Sequence, residues 1–248
     1  MLTQISIPFQ SQEGYRYISS SASLFHGLLM EQLTAEHAAF LHENALRPFS
    51  QNIRPLENGG IWTVSVLTAE DAEQIIPAVL NLKTAEIVQK NDVITFQEPE
   101  KQSVSYADMF RKHYIMADAP RLIRLHFETA TAFKSNGQYV NMPTAKMILF
   151  GLVRRYDMTC NIHDTIYDTL FDEIEQRVTI SGFRIRSASF SLEGVRIPAF
   201  LGEITLRVSG NSTFRSYINM LCDYAQYSGV GIKTALGMGR VKYEPIER

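Results

Sequence analysis

The residues best suited to chemistry lie near the C-terminus, in a glycine-rich stretch. Two Gly-x-Gly pairs bracket five residues that include one lysine, and an arginine follows them. The residues concerned are Gly229, Gly231, Lys233, Gly237, Gly239 and Arg240. Since glycine has no Cβ, its backbone can approach a ligand closely, and successive amides can form a concave site for phosphate. The pattern is neither a Walker loop nor a dinucleotide fingerprint. A phosphate-binding loop and a plain turn between a helix and a last strand both remain open.

Composition describes an ordinary globular protein. The chain has 248 residues, of which 45% are hydrophobic and 20% are charged, enough to build a substantial core. Cys160 and Cys222 fit no disulfide or metal framework, which favours a reducing cytoplasm. The sequence shows neither an apolar run of transmembrane length nor the features of a signal peptide at its start. We therefore expect a cytoplasmic protein without a membrane partner.

Charge is distributed unevenly along the chain. The net charge of −2 argues against a generally basic nucleic-acid binder. Residues 1–118 carry 8 Lys and Arg against 14 Asp and Glu, whereas residues 119–248 carry 16 against 12. A polyanion would accordingly bind mainly to the C-terminal half, although such a split also arises without function.

The elements that must position the glycine-rich stretch are read from hydrophobic periodicity and caps. The predicted strands are 2–8, 61–67, 86–88, 93–96, 122–129, 178–192, 196–208 and 240–244. The predicted helices are 24–33, 34 to before Pro48, 68–82, 105–113, 143–156, 164–176 and 211–224. We interpret each half as strand, helix, strand, strand, helix, strand, the ferredoxin-like order. The fold class is therefore α+β, with two tandem ferredoxin-like domains at 1–118 and 119–248, a linker at 116–120 and a central cleft.

The order of these elements and the glycine motif resemble one known family. A helix, the glycine motif and a short C-terminal strand are similar to the end of the CRISPR-associated repeat-processing endoribonucleases. Three further stretches agree, in the family's order and spacing. They are 27–29 (Gly-Leu-Leu) with 40–43 (Phe-Leu-His-Glu), 47–50 (Arg-Pro-Phe-Ser), and 127–134 with Tyr139 and Pro143.

The resemblance implies a metal-independent reaction on precursor CRISPR RNA. In that reaction a 2′-OH attacks its own adjacent phosphate and leaves a 2′,3′-cyclic phosphate and a 5′-OH. The chemistry needs a base, an acid and positive charge on the pentacovalent phosphate, which histidine and Lys or Arg can supply. No acidic cluster or Cys/His spacing in the sequence suits a catalytic metal, so we expect no cofactor.

Matching the family residue by residue gives the catalytic candidates. His42 occupies the position of the family's histidine, and Arg47 lies where many relatives have a basic residue. Some relatives carry a tyrosine where this chain has Met30. His26, one helical turn before Met30, is the substitute partner for His42. Each could instead be an ordinary surface or packing residue. Two weaker candidates precede this helix, Tyr15 and Tyr17.

The same resemblance assigns the RNA contacts. Lys233 and the amides around the four glycines are the proposed phosphate contacts. Arg184 and Arg186, two apart on a strand, share one face and could follow an RNA backbone, or simply be solvated. The lesser candidates are Arg240, Arg154, Arg155, Lys146 and Lys134. The expected partner is the repeat of precursor CRISPR RNA. A CRISPR effector complex and a homodimer are further partners that the family suggests.

Two competing functions stay open at this point. Methionine cannot transfer a proton. Met30 is therefore also consistent with a second hypothesis, a non-catalytic RNA-binding subunit of a CRISPR effector complex. A small-molecule enzyme that uses the glycine loop for a nucleotide is disfavoured, because the Walker and Rossmann contexts are missing.

Overall fold

The computed structural model describes residues 1–43, 47–115, 119–162, 165–192 and 194–246, but not the side chains of His42 and Glu43. The chain divides into two compact units. The first comprises Met1–Ser103 with Lys233–Gly237, and the second comprises Val104–Ile232 with Met238–Arg248. The glycine-rich stretch therefore contributes five residues to the first unit, although it lies in the C-terminal part of the sequence.

The first unit is a ferredoxin-like module with added strands. Its elements are β1 (Leu2–Ser11), α1 (Ala22–Gln32), α2 (Ala35–Glu43), β2 (Phe49–Pro55), β3 (Gly60–Val66), α3 (Ala69–Leu80), β4 (Thr84–Ile87), β5 (Asp92–Phe96) and β6 (Glu100–Val104). The sheet order is β2-β3-β1-β5-β4, and β6 also pairs with β1. Aromatic rings fill the core between sheet and helices, among them Phe9, Tyr17, Phe25, Trp62 and Phe96.

The second unit repeats the same arrangement. Its elements are α4 (Tyr106–Tyr114), β7 (Leu122–Thr131), β8 (Phe133–Ser135), β9 (Gln138–Val140), α5 (Ala145–Cys160), α6 (Tyr167–Arg177), β10 (Val178–Leu192), β11 (Val195–Val208), α7 (Ser212–Ser228) and β12 (Val241–Ile246). Its four-stranded sheet has the order β10-β11-β7-β12, with antiparallel neighbours. In both units the second, third, first and last core strands lie side by side, as in a βαββαβ module. The predicted α+β, tandem ferredoxin-like fold is confirmed.

Local signals placed most elements correctly. The hairpin of β4 and β5 is present, and Asn211 caps α7 by accepting a hydrogen bond from the Phe214 N–H. The fifth helix begins at Ala145 rather than at Pro143, because the Thr144 side chain caps it through the Met147 N–H.

Strand β2 is an element that periodicity missed. It contains Ser50, Gln51 and Asn52, and all three are buried. A strand in which three consecutive buried positions are polar lacks the apolar alternation on which strand prediction depends. This omission matters for function, because β2 passes directly beside the first helix.

Helix α4 packs differently from the sequence prediction, which placed it in the first domain. Its His113 Nε2 lies 2.8 Å from Asp223 Oδ2 on α7, and Lys112 Nζ lies 2.7 Å from the same oxygen. The Tyr106 hydroxyl donates to Thr159 Oγ1 on α5 at 2.8 Å. These contacts hold α4 in the second unit. Residues 116–118 of the predicted linker lie outside the described residues.

No helix within the described ranges is long and apolar enough to cross a membrane.

Candidate active site and glycine-rich segment

A row of side chains from β2 and the residues just before it faces helix α1. Phe49 and Gln51, two apart on β2, point to the same side, and Arg47 in the loop before the strand lies beside His26. On α1, Ala22 and His26 are one helical turn apart. Two strand residues span about 6.6 Å and four helical residues about 6 Å, so the two rows run in step.

The His26 side chain is held by two members of this row. Its ring stacks on Phe49, with ring centroids 5.9 Å apart and an interplanar angle of 21°. Its Nε2 lies 3.1 Å from Nη1 of Arg47, and the residue is only 8% exposed. A guanidinium has donors and no acceptor, so Nε2 must accept this hydrogen bond. The geometry therefore requires a neutral His26 with its proton on Nδ1.

Arg47 supplies a positive charge in a half-buried position. Burial lowers the pKa of its guanidinium, but an arginine remains charged at physiological pH. A fixed guanidinium can form two parallel hydrogen bonds to phosphate oxygens. The predicted residues Arg47 and His26 are thus brought together by the fold.

The remaining predicted catalytic residue, His42, belongs to helix α2, and its side chain lies outside the described part of the structure. Its role stays a prediction. Met30, where the resemblance implied a tyrosine in some relatives, packs against the hydrophobic core of the first unit. That packing gives Met30 a structural reason for its apolar side chain.

Tyr17 is placed to support the fold and not to transfer a proton in a reaction. It is fully buried, and its hydroxyl donates to Asp92 Oδ2 at 2.7 Å. Burial, followed by the bond to Asp92, raises the pKa of Tyr17 far above its usual range. Tyr15 is 43% exposed, and Lys90 Nζ lies 5.3 Å from the centre of its ring.

Two of the four motif glycines use their amides within the protein. The Gly229 N–H donates to Ala225 O at 2.8 Å and ends helix α7. The Gly239 N–H donates to Ala130 O at 3.1 Å. These two amides are satisfied by backbone carbonyls, which differs from the phosphate contacts that the sequence suggested for them.

The other two glycines are required by close packing. A Cβ at Gly231 would lie 2.3 Å from Ala132 O, and one at Gly237 would lie 2.4 Å from the Ala22 Cβ. Both have positive φ, 83° and 102°. Between them, half-buried Lys233 also has a positive φ of 55° and precedes a 3₁₀ turn at Thr234–Leu236. We name Lys233–Gly237 the docked segment, because it packs on α1 and β2 of the first unit.

The predicted arginine contacts have different environments. Arg184 and Arg186 lie on β10 opposite Glu203 and Leu201, and both are exposed. Arg240 Nε is 2.6 Å from Glu128 Oε2. Burial raises the pKa of Glu128, but its bonds to Arg240 and Lys242 outweigh burial and leave that pKa lowered.

Arg155, a lesser candidate for RNA binding, is 8% exposed, and its Nη1 donates to Ser228 O at the end of α7. Its role is to support the fold. The sequence also gave no functional role to Phe49, Gln51 or Trp62, although Phe49 belongs to the stretch 47–50 that resembles the family. Phe49 stacks on His26, and Gln51 bonds to Ala22 and Trp62.

Comparison with known proteins decides the family. A CRISPR-associated endoribonuclease Cas6 of Streptococcus thermophilus is 31% identical over 222 residues, covering 89% of this chain and 90% of the relative. The chain belongs to the Cas6 family. A Cas6 of Mycobacterium tuberculosis (strain ATCC 25618 / H37Rv) is 30% identical over 223 residues, covering 89% of this chain and 71% of the relative.

The Cas6 family model, described as CRISPR-associated endoribonuclease Cas6, matches residues 125–241. That range contains the glycine motif but neither His26 nor Arg47. Among solved structures, a Cas6 (TTHB231) product complex superposes with a TM-score of 0.84 at 20% identity, covering 98% of this chain and 100% of that one. At this identity the likeness concerns the fold, and it places the whole chain on the Cas6 architecture.

Proposed function

We propose that this Cas6-family chain is an endoribonuclease that cuts precursor CRISPR RNA within its repeats without a metal. The 2′-OH loses its proton and attacks the adjacent phosphorus, and the bond from phosphorus to the 5′-oxygen breaks. The departing oxygen takes a proton, which leaves a 2′,3′-cyclic phosphate and a 5′-OH. The observation that carries the proposal is the Arg47 guanidinium, held 3.1 Å from the Nε2 of a neutral, buried His26.

The three candidate residues receive different roles. His42 is the proposed proton-transfer group, because histidine can act as base and acid near neutral pH. Arg47 stabilises the charge on the pentacovalent phosphate. Since Nε2 of His26 already accepts from Arg47, His26 serves to orient the guanidinium. This differs from the proton exchange with His42 that the sequence suggested.

RNA binding is assigned to charged groups around the docked segment and on the second unit's sheet. Lys233 is the proposed contact to the phosphate backbone next to the cut. Arg184 and Arg186, exposed on β10, are proposed contacts to the RNA backbone on the second unit. The expected occupant is the repeat of precursor CRISPR RNA. Transfer to an effector complex, a homodimer and a cytoplasmic location stay predictions.

The decisive experiment incubates the protein with its own genome's CRISPR repeat RNA in EDTA and maps the product ends. We expect cyclic phosphate ends, loss of cutting in His42→Ala and retained RNA binding in that variant. His37→Ala is the matched control, because His37 lies on the same helix and pairs with Asp71 at 3.4 Å. Full-rate cutting by His42→Ala would remove His42 from the mechanism.

A second function is supported by Met30, which packs into the core in place of a proton-transferring tyrosine. The chain would then be a non-catalytic RNA-binding subunit of a CRISPR effector complex. Tight binding of repeat RNA with no cleavage in any buffer would favour it over the endoribonuclease.

A further inference from the structure

A buried glutamine joins the docked segment to helix α1. Gln51 on β2 is 1% exposed. Its Nε2 donates to Ala22 O at 3.1 Å and to Ala235 O at 2.7 Å. Its Oε1 accepts from the indole Nε1 of Trp62 at 2.6 Å.

The chemistry of the partners fixes the orientation of this amide. An indole N–H can only donate and the two backbone carbonyls can only accept. All three bonds can therefore form in only one orientation of the side-chain amide, with Nε2 toward the carbonyls and Oε1 toward the indole. Removal of the amide would take the acceptor away from the buried indole N–H and one hydrogen bond from each of the two carbonyls.

Two of the three bonds act on the elements that bear the proposed chemistry, and the bond from Trp62 fixes the amide between them. Ala22 O lies in the first turn of α1, one turn before His26. Ala235 O lies in the 3₁₀ turn that begins directly after Lys233. Phe49, two residues before Gln51 and on the same side of β2, stacks on His26 itself. One side chain thus sets the distance between the turn that follows Lys233 and the helix that carries His26.

We propose that Gln51 is a positioning residue for RNA cleavage. It holds Lys233 in register with the pair of Arg47 and His26, so that a phosphate bound by Lys233 lies at the guanidinium. The inference rests on the proposed endoribonuclease function. Gln51 itself touches no RNA, and its effect is on geometry: a reacting group misplaced by about 1 Å can lose about 10²-fold in rate.

The test compares Gln51→Met, which keeps the side-chain volume, with Thr63→Val. Thr63 is also buried in this sheet and bonds to Ser6 at 3.0 Å, away from the docked segment, so its variant controls for general loss of stability. Single-turnover cleavage of repeat RNA in EDTA is measured well below the unfolding temperature of each variant. The cut position is mapped by sequencing the product ends.

For Gln51→Met we expect the single-turnover rate constant to fall by about 10²-fold, with a much smaller loss of RNA affinity, because the Lys233 side chain is retained and only its register is loosened. We also expect cuts at neighbouring phosphodiesters, since the register is loosened. If Gln51→Met does not fold, Gln51→Asn takes its place in the test. This milder change should give the same pattern more weakly. Thr63→Val should cut at the wild-type position and rate.

A wild-type rate constant and a single cut position in both Gln51 variants would overturn the positioning role. An equal loss of rate in Thr63→Val at matched stability would do so too, because it would show a general effect of destabilisation. Absence of cutting by the wild-type protein would overturn the proposed function itself, and the positioning role with it.

Discussion

The guanidinium of Arg47 can only donate hydrogen bonds, and this limits what His26 can do. With Nε2 accepting at 3.1 Å, protonation of that nitrogen would replace an attraction by a repulsion between two cations. His26 is therefore suited to holding Arg47 still. The stacked ring of Phe49 restricts the imidazole further. At the scale of single residues, the candidate site is the guanidinium of Arg47, oriented by His26, whose ring is in turn held by Phe49.

Replacing Arg47 tests this reading of the site. We expect Arg47→Ala to lower kcat by about 10²- to 10³-fold, the cost of removing one preorganised donor to a developing anion. Arg47→Lys keeps the charge but not the planar fork, so it should recover only part of the rate. Single-turnover cleavage in EDTA, with thermal unfolding measured in parallel, gives the numbers.

The matched control is Arg54→Ala, because Arg54 is an exposed arginine on β2. Its removal should leave kcat unchanged. If Arg47→Ala cuts RNA as fast as Arg54→Ala, then Arg47 contributes nothing to the reaction and the proposed transition-state contact is wrong.

At the scale of elements, the glycine motif allows close packing of the backbone and is also a candidate for RNA binding. Helix α7 ends at Gly229, whose amide closes the last turn. Gly231 and Gly237 allow the chain to pass within contact distance of Ala132 and Ala22. The motif's spacing therefore follows from where the backbone must bend and approach other elements. Lys233 is carried between these points in a conformation that the docking of the segment imposes.

Gly237→Ala tests whether this docking matters for binding. A Cβ there would meet Ala22 at 2.4 Å, and φ is 102°, so we expect the protein to lose about 2–4 kcal/mol of unfolding free energy. We also expect RNA affinity to fall severalfold, because Lys233 is displaced. Chemical denaturation and a filter-binding titration measure the two effects.

Gly27→Ala serves as the comparison, since a Cβ at that exposed position of α1 meets nothing within 4 Å. It should raise the unfolding free energy by about 0.5–1 kcal/mol through helix propensity. Unchanged stability and RNA binding in Gly237→Ala would mean that the segment is not docked as described.

At the scale of the whole molecule, charge and packing divide the chain in different places. The acidic excess covers residues 1–118, yet helix α4 within that range packs on α5 and α7 of the second unit. Asp223 is the centre of that attachment, because both His113 and Lys112 contact its Oδ2. The boundary between compact units follows these buried contacts rather than the change in net charge.

Asp223 also predicts a dependence of stability on pH. Burial raises its pKa, but the bonds from His113 and then Lys112 outweigh burial, so the pKa in the folded protein is lowered. A lowered folded pKa means that the carboxylate's contribution is present above the unfolded value of about 3.9 and is lost as pH falls through the folded pKa. We expect Asp223→Asn to be less stable than wild type at pH 7 and to lose less stability on acidification.

Guanidinium unfolding at several pH values between neutral and about pH 3 tests this sign. Asp108→Asn on α4 is the control, because Asp108 is an exposed carboxylate paired with Arg111 at 3.0 Å. Parallel pH profiles for wild type and Asp223→Asn would contradict the attachment of α4 through this carboxylate.

Local pattern was enough to predict the fold class and to nominate candidate residues for the site. Caps such as Asn211, the hairpin of β4 and β5 and the order of strands and helices depend on neighbouring residues, which a sequence displays directly. The glycine motif could be selected because its residue types are informative by themselves, whereas His26 was selected from the family resemblance and its helical spacing to Met30. Strand β2 could not be predicted, since three of its five buried positions are polar and the usual alternation is missing.

The pairings that make the site depend on residues far apart in the chain. Gln51 and Ala235 are 184 positions apart, and their hydrogen bond leaves no local trace in the sequence. The same holds for Gly237 against Ala22 and for His113 against Asp223. His26 and Arg47 were each proposed by matching the chain to the family, but their mutual orientation arises only when β2 packs beside α1. Chemical type is a local property, whereas direction and distance come from packing.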